Sequence, residues 1–525
     1  MKTTPLLLAA LLGLTMPLAL APASPAQAAT PAAAPTLPAL GDAGGDELGL
    51  GAERRLGERI MKELRRDPDL LDDPLLQDYV DSLWQPLLAA ARARGDLPDE
   101  QREQFAWATF LVRDRSVNAF ALPGGHVGVH LGLIAITSTR DELAAVLAHE
   151  LSHVTQRHIA RSIATSRRQS LIGAATMIAG ILAASRSGDA ANAMIVGGQA
   201  VAAQGQLNFS RDMEREADRI GFGVLEAAGF APEGMAGMFD RLQSASRLND
   251  SGQFPYLRSH PLTGERMAEA RSRLGVNPAG SGAAPDAARW LHAAMQGRAR
   301  ALMDGRGETL SRLAGGGVPG AAAVAGTPEA LSTACAAALA ATRLKDWRAA
   351  DAALARARML AAGQGAPVQR AVQIIQIESM LDRGQTTEAA RLLSGGLLDG
   401  SRAGLMLSAR LAALPQAEAT QAGRVREDLQ TWVSVRPGDA GAWQALARVS
   451  ERLGQPLASL RAQAEAQAAL GDLAGAVDRL RAGQRLSRSS GAVESMEGVV
   501  IESRLKALEQ QRRAELERER RGEDD

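Results

Sequence analysis

The stretch Thr139-Arg140-Asp141-Glu142-Leu143-Ala144-Ala145-Val146-Leu147-Ala148-His149-Glu150-Leu151-Ser152-His153 decides how the rest of this 525-residue chain is read. Thr139 and Glu142 stand at the spacing of a capping box, in which the two side chains satisfy the first free amides of a helix. Leu143, Val146, Leu147, Leu151 and Val154 then recur at helical intervals, so the pattern predicts a helix starting near residue 140. On that helix His149 and His153 are four residues apart and share one face, where two ring nitrogens can reach one Zn²⁺ at about 2.0–2.1 Å. Glu150, beside the first histidine, is placed to take a proton from an attacking water without ligating the metal. Two histidines that merely share a helix face would show the same spacing. A third ligand separates the readings, because a catalytic zinc takes three protein ligands and keeps a fourth position open.

Downstream, Ser210-Arg211-Asp212-Met213-Glu214-Arg215-Glu216-Ala217-Asp218 puts Glu214 and Asp218 one turn apart on a second predicted helix. Glu214 can supply the third ligand. Asp218, on the same face, can accept a hydrogen bond from the free ring nitrogen of a ligating histidine and fix its tautomer. Acidic pairs at this spacing are common on charged helices, so the segment gains its weight from the first motif. Cys335 is the one cysteine, which excludes an intrachain disulfide and a cysteine-rich zinc ribbon and leaves any metal to histidine and carboxylate. His126, His130 and His158 lack ligand spacing to the pair and are expected to be structural. His158, five residues beyond His153, is expected to point away from the ligand face.

Around this centre, residues 47–274 mix short apolar patterns, Phe105 to Val112 and His126 to Val129, with helical stretches, as an α+β domain does. Asn118 to Gly125 reads as a strand ending in a Pro-Gly-Gly turn, with Val127 and Val129 pairing back. Asn118, Ala119 and Phe120 then form either one arm of an ordinary hairpin or a strand edge that holds an extended substrate peptide by its main chain. Between the two candidate ligand helices lie two apolar arms, 171–184 and 190–203, each too short to cross a bilayer. They are expected as a helical hairpin packed on the domain, or as a lid or membrane-facing flap over the cleft.

Lys2, the apolar run Leu6 to Ala21 and Ala26-Gln27-Ala28 fit a signal peptide of residues 1–28, followed by a flexible Ala/Pro-rich leader at 29–46. With no cysteine near the cleavage site to carry a lipid, the expected location is the periplasm, as a soluble protein. Residues 275–285 are a linker by composition. Beyond it, Gly454-Gln455 and Gly471-Asp472 lie seventeen residues apart, half the 34-residue pitch of tetratricopeptide repeats. Pro437 six residues before Trp443, and the starts Lys345-Asp346-Trp347 and Gly384-Gln385-Thr386, fit the same scheme. The expected fold class is therefore α+β and mostly helical: a zincin-type metalloprotease domain, then an α-solenoid of tetratricopeptide-like repeats over 286–500. Residues 501–525 are expected as a charged C-terminal tail, with Arg512 to Asp525 a solvated, fraying helix. Aromatic residues make up 3% of the chain, in keeping with helices. Lys+Arg and Asp+Glu both number 59, so no overall field draws the chain to nucleic acid.

The pairing of His149-Glu150-x-x-His153 with Glu214-x-x-x-Asp218 resembles the gluzincin metallopeptidases of the HtpX-like and CAAX-prenyl-protease-like group. Asn118 to His126, Ser210-Arg211, and Ser259-His260-Pro261 with Arg266 fit that resemblance in order and spacing over about residues 100 to 270. It implies one Zn²⁺ per chain on His149, His153 and Glu214, with Glu150 as catalytic acid/base and Asp218 as a catalytic residue, described in such enzymes as a proton donor. An ionised aspartate beside an imidazole is the better acceptor, which favours the tautomer-fixing role. His260 alone reads as a surface His-Pro turn. The resemblance moves it to the active site, either on the open zinc position in a latent state or on the tetrahedral oxyanion in an active one. Arg266 is expected to pair with Asp218, to contact the oxyanion, or to be exposed. Exported members with a C-terminal repeat domain come closest in architecture. They imply unfolded or misassembled outer-membrane proteins as substrates and the β-barrel assembly machinery as a partner of the repeats; peripheral membrane contact is a separate expectation, from the apolar arms 171–203. Two functions follow: an exported zinc endopeptidase in envelope quality control, or a chaperone-like assembly scaffold whose protease domain is latent. The intact catalytic set favours the first.

Overall fold

The computed structural model describes residues 48–165, 211–248, 254–274, 286–316, 326–398, 400–491, 493 and 495–521. The expected signal peptide and leader, the apolar arms 171–203 and the linker 275–285 lie outside the described residues. In chain order the first part contains α1 (Leu50–Leu64), β1 (Leu70–Leu71), α2 (Pro74–Arg94), α3 (Asp99–Gln104), β2 (Ala108–Val112), β3 (Ala119–Leu122), β4 (His126–His130), α4 (Leu131–Ile136), α5 (Arg140–Thr155) and α6 (His158–Thr165). Then come α7 (Arg211–Ala227), α8 (Glu233–Leu248), α9 (Pro255–Ser259) and α10 (Gly264–Arg273).

The predicted helix at 140 is α5. The Thr139 side chain accepts from the Glu142 amide at 3.1 Å, and the Glu142 carboxylate accepts from Ser138 N at 2.6 Å. Arg241 of α8 clasps the same carboxylate. The apolar stripe is completed by packing on every side, so that all residues from Asp141 to Thr155 are buried among α2, α7, α8 and β3. Polar residues on such a helix must find partners within the protein.

The sheet runs β1-β2-β4-β3, with β2 parallel to β4 and the outer pairs antiparallel. The predicted hairpin is β3 and β4, joined through Gly124 and Gly125 at φ +77° and +88°, a conformation glycine adopts without strain. β3 is therefore an edge strand against α5. On the other side, Leu56, Ile60 and Met61 of α1 pack with Phe110 and Leu122.

From residue 286 onward the described elements are all helical, and neighbours in sequence pack on one another. Ala440–Arg452, Pro456–Ala469 and Leu473–Ser489 turn at Gly454 and Gly471, both with positive φ. Asp439 and Asp472 cap the helices that follow them. The first helix, Asp286–Leu302, docks on the preceding domain: Tyr79 Oη lies 2.6 Å from His292 Nδ1, and Gln296 donates to Thr137 O at 2.7 Å. Arg298, fully buried, bridges Asp73 at the start of α2 and Glu378 in the Ala366–Asp382 helix, each at 2.7 Å. The expected tail also differs. Ile501, Leu505 and Leu508 of the Met496–Arg521 helix are buried against Leu473, Val477 and Leu480, and further along Glu515 pairs with Lys62 of α1 at 3.1 Å. Charge dominates its composition, but one apolar stripe is enough to dock it.

Removing one member of a buried ion cluster strands the others without a counter-charge. Arg298→Ala is expected to lower unfolding free energy by about 3–5 kcal/mol. A urea denaturation midpoint equal to that of the parent would contradict the clamp.

Candidate metal centre and active site

Three elements converge at one buried point. α5 brings His149, Glu150 and His153, α7 brings Glu214 and Asp218, and the turn after α9 brings His260. The convergence depends on how closely α7 crosses α5. A Cβ at Gly221 would lie 3.1 Å from Ala148 O and 3.2 Å from His149 N, a tight fit that would press α7 away by a few tenths of an ångström. At the start of α8, a Cβ at Gly234 would lie 2.4 Å from Asp141 O.

His149, His153, Glu214 and His260 each offer one ligand atom, all within 4.8 Å of one another. His149 Nε2 is 3.0 Å from His153 Nε2, 3.3 Å from His260 Nδ1 and 3.5 Å from Glu214 Oε2. Glu214 Oε1 is 3.4 Å from His153 Nε2 and 3.0 Å from His260 Nδ1. A tetrahedral zinc with bonds of about 2.0–2.1 Å would separate its ligands by about 3.3–3.4 Å. The donor set therefore fits that ion. His149 Nδ1 lies 2.8 Å from Asp218 Oδ1 and His153 Nδ1 lies 2.9 Å from His158 Nδ1. With protons on both Nδ1 atoms, the two Nε2 lone pairs face each other at 3.0 Å, an arrangement that a cation resolves.

Glu150 stands beside this group with Oε2 accepting from the Ala121 amide at 3.0 Å. Its Oε1 is buried, has no hydrogen bond and lies 3.5 Å from His260 Nε2. Burial raises the Glu150 pKa, opposed by His260 and His149. Burial acts on Glu214 in the same sense, but the charge of His260 and hydrogen bonds from three histidines hold it far below the carboxylate range. Asp218 resists its own burial through Arg266, which donates to both its oxygens at 2.6 and 2.8 Å, and its pKa falls to about 2. Burial disfavours charge on His149, yet without a cation at Nε2 the hydrogen bonds to Asp218 and Glu214 outweigh it and raise the pKa to about 10, so a metal ion would take the place of the Nε2 proton. His153 goes the other way: desolvation drives it well below 6.5.

His149, Glu150, His153, Glu214, Asp218, His260 and Arg266 lie together in this geometry. Arg266 is neither exposed nor aimed at an oxyanion position; its guanidinium is spent on Asp218, on Glu214 Oε2 at 2.8 Å and on Pro261 O at 2.9 Å. At β3 the candidates divide. Asn118 O accepts from His130 N in the β4 direction, so by antiparallel alternation Asn118 and Phe120 direct their main chains inward while Ala119 and Ala121 direct theirs to the far side of the strand, where Glu150 Oε2 takes the Ala121 amide. His158 does not point away: α5 ends before it, and its ring returns onto His153. Tyr256 was not singled out by spacing. It is buried with its ring 4.7 Å from that of His260. Only the neighbouring Ser-His-Pro segment hinted at it.

Residues 74–274 match the model of Peptidase family M48. The chain is 35% identical over 240 residues to the β-barrel assembly-enhancing protease of Escherichia coli (strain K12), covering 46% of this chain and 47% of that protein. It is 36% identical over 237 residues to the protein of the same name from Yersinia pestis, covering 45% and 47%. It is 34% identical over 231 residues to the mitochondrial metalloendopeptidase OMA1 of Schizosaccharomyces pombe, covering 44% and 63%. The chain thus spans about half the length of the bacterial relatives it matches.

Overpacking the α5–α7 crossing should move Glu214 off the histidine pair. Gly221→Val is expected to cost about 1–3 kcal/mol in stability and to weaken zinc binding, measured by chelator competition. Parent-like zinc affinity would mean that this contact does not set the position of α7.

Proposed function

We propose that this chain is an exported zinc endopeptidase that cleaves misfolded or misassembled envelope proteins, held in a latent state by His260. The observation that carries the reading is the meeting of His149, His153 and Glu214 at one buried point, with a free oxygen of Glu150 beside it and the open edge of β3 alongside. His149, His153 and Glu214 hold the metal, one per chain. Zinc there supplies Lewis acidity and brings the pKa of a water towards about 7.

The protein's own groups do the rest. Glu150, made more basic by burial, takes the proton of the attacking water through Oε1 and passes it to the leaving amine. The Ala121 amide keeps the other oxygen turned away from the reaction. The outward main-chain groups of Ala119 and the carbonyl of Ala121, whose amide is taken by Glu150, hold an extended substrate as an added strand. Asp218, kept ionised by Arg266, accepts from His149 Nδ1 and fixes the tautomer that presents Nε2. His260 Nδ1, 3.3 Å from His149 Nε2 and 3.0 Å from Glu214 Oε1, would be a fourth ligand, which supports a latch: while it stays, the position needed for water would be filled.

The helices from 286 onward are read as tetratricopeptide-like repeats that recruit substrate or partner. The seventeen-residue spacing of Gly454 and Gly471 and the capped helix pairs around them support this. The names of the bacterial relatives point to β-barrel assembly as the setting; outer-membrane proteins as substrates and the assembly machinery as partner are part of the proposal. The N-terminal pattern supports the periplasm. No described helix is long and apolar enough to cross a membrane. The closed ligand set also favours a second reading, an assembly scaffold in which His260 never leaves.

Proteolysis of an unfolded outer-membrane protein separates the two. Glu150→Gln should lose at least about 100-fold of the activity, in line with the loss of a general base, and chelation should abolish what remains. Cleavage at the parent rate by the variant would sink the endopeptidase reading. His260→Ala should raise proteolysis, and equal or lower activity would count against the latch.

A further inference from the structure

α5 ends at Thr155, and the chain reverses through Arg157, a non-glycine residue with left-handed backbone at φ +53°. Arg157 is fixed there by the buried carboxylate of Glu53 at 3.1 Å and by Leu48 O. The next helix therefore starts at His158 with its ring folded back, edge to face on His153, with centroids 4.8 Å apart and Nδ1 to Nδ1 at 2.9 Å. The opposite nitrogen, His158 Nε2, lies 3.1 Å from Glu216 Oε2, and that oxygen accepts from Arg161 Nη1 at 2.9 Å.

Glu216 decides where the ring protons sit. An ionised carboxylate only accepts, so His158 carries its proton on Nε2 and leaves Nδ1 as an acceptor. His153 must then donate from Nδ1, which puts its lone pair on Nε2, the atom facing His149 and Glu214. We propose that His158 and Glu216 are positioning residues for the metal, a relay that fixes the tautomer and ring orientation of His153 as Asp218 does for His149. This rests on the zinc centre proposed above. The two histidines of one motif are thus served differently: His149 meets its carboxylate directly, whereas His153 reaches one through an intervening imidazole. Both carboxylates, Asp218 and Glu216, belong to α7, as does the ligand Glu214. One helix supplies the third ligand and orients the other two.

The test uses the full chain, with zinc dissociation constants from chelator competition and the visible spectrum of the cobalt(II) form. His158→Leu is expected to weaken zinc binding about 10–100-fold, as loss of a partner behind a metal ligand does, and to change the cobalt spectrum. His158→Asn, whose side-chain oxygen replaces the Nδ1 acceptor, is expected to recover most of that loss. Parent-like affinity in His158→Leu overturns the proposal, and so does an Asn variant as weak as the Leu variant, since the loss would then be packing alone. Should His158→Leu fail to fold, Glu216→Ala carries the test at a partly exposed position. Unchanged affinity and an unchanged cobalt spectrum there overturn the relay. Parent protein that binds no zinc would instead defeat the metal reading itself.

Discussion

Burying charge at the crossing of α5 and α7 is the constraint on which the rest of the structure depends. His149, Glu150, His153, Glu214, Asp218, His260 and Arg266 are all nearly excluded from water within a few ångströms of one another. An ion in such a place costs several kcal/mol unless geometry returns it. Arg266 offsets two carboxylates at once, through short contacts to Asp218 and Glu214, and cannot do so unless α10 is fixed against α7. The histidines balance the remainder, with or without a cation among them.

That constraint runs outward through α5. Its N-terminal end is tied by Glu142 to Arg241 and lies beside Thr137, whose carbonyl receives Gln296 and His292 from the Asp286–Leu302 helix. Its C-terminal end is turned by Arg157, which reaches Glu53 in α1. Between those ends, Ala121 of β3 grips Glu150. The helix carrying the histidines is thus held at both ends and at its middle. The helical array beyond residue 286 is one of the holders, since Arg298 joins the cap of α2 to the Ala366–Asp382 helix.

How much of this was legible depends on the range of the signal. The capping box, the apolar stripe of α5 and the i,i+4 histidines are local, and spacing alone places them. The β3–β4 hairpin is equally local, because Gly124 and Gly125 announce the turn. The approach of α7 to α5 is not. Gly221 looks like any glycine in a helix until Ala148 and His149 lie across it, and Glu214 gained its meaning only from a second motif. His158 misled for a physical reason: an uninterrupted helix would carry it away from His153, and an arginine gives no warning of a left-handed turn. In the last helix the spacing of Ile501, Leu505 and Leu508 was readable, but the surrounding charge drew attention from it.

The division of labour along α7 explains why a weak-looking acidic segment can define a site. Glu216 stands two residues from both Glu214 and Asp218, so its side chain leaves the helix in a different direction from theirs. Glu214 and Asp218, four apart, both face α5, where one meets the ligand nitrogens and the other the back of His149. Glu216 faces elsewhere and would have no part in the site if His158 were not folded back to meet it. The reversal at Arg157 therefore does more than end a helix. It converts a third carboxylate from solvent-facing charge into support for His153, and it makes the position of α1, which anchors Arg157 through Glu53, part of what orients the histidine pair.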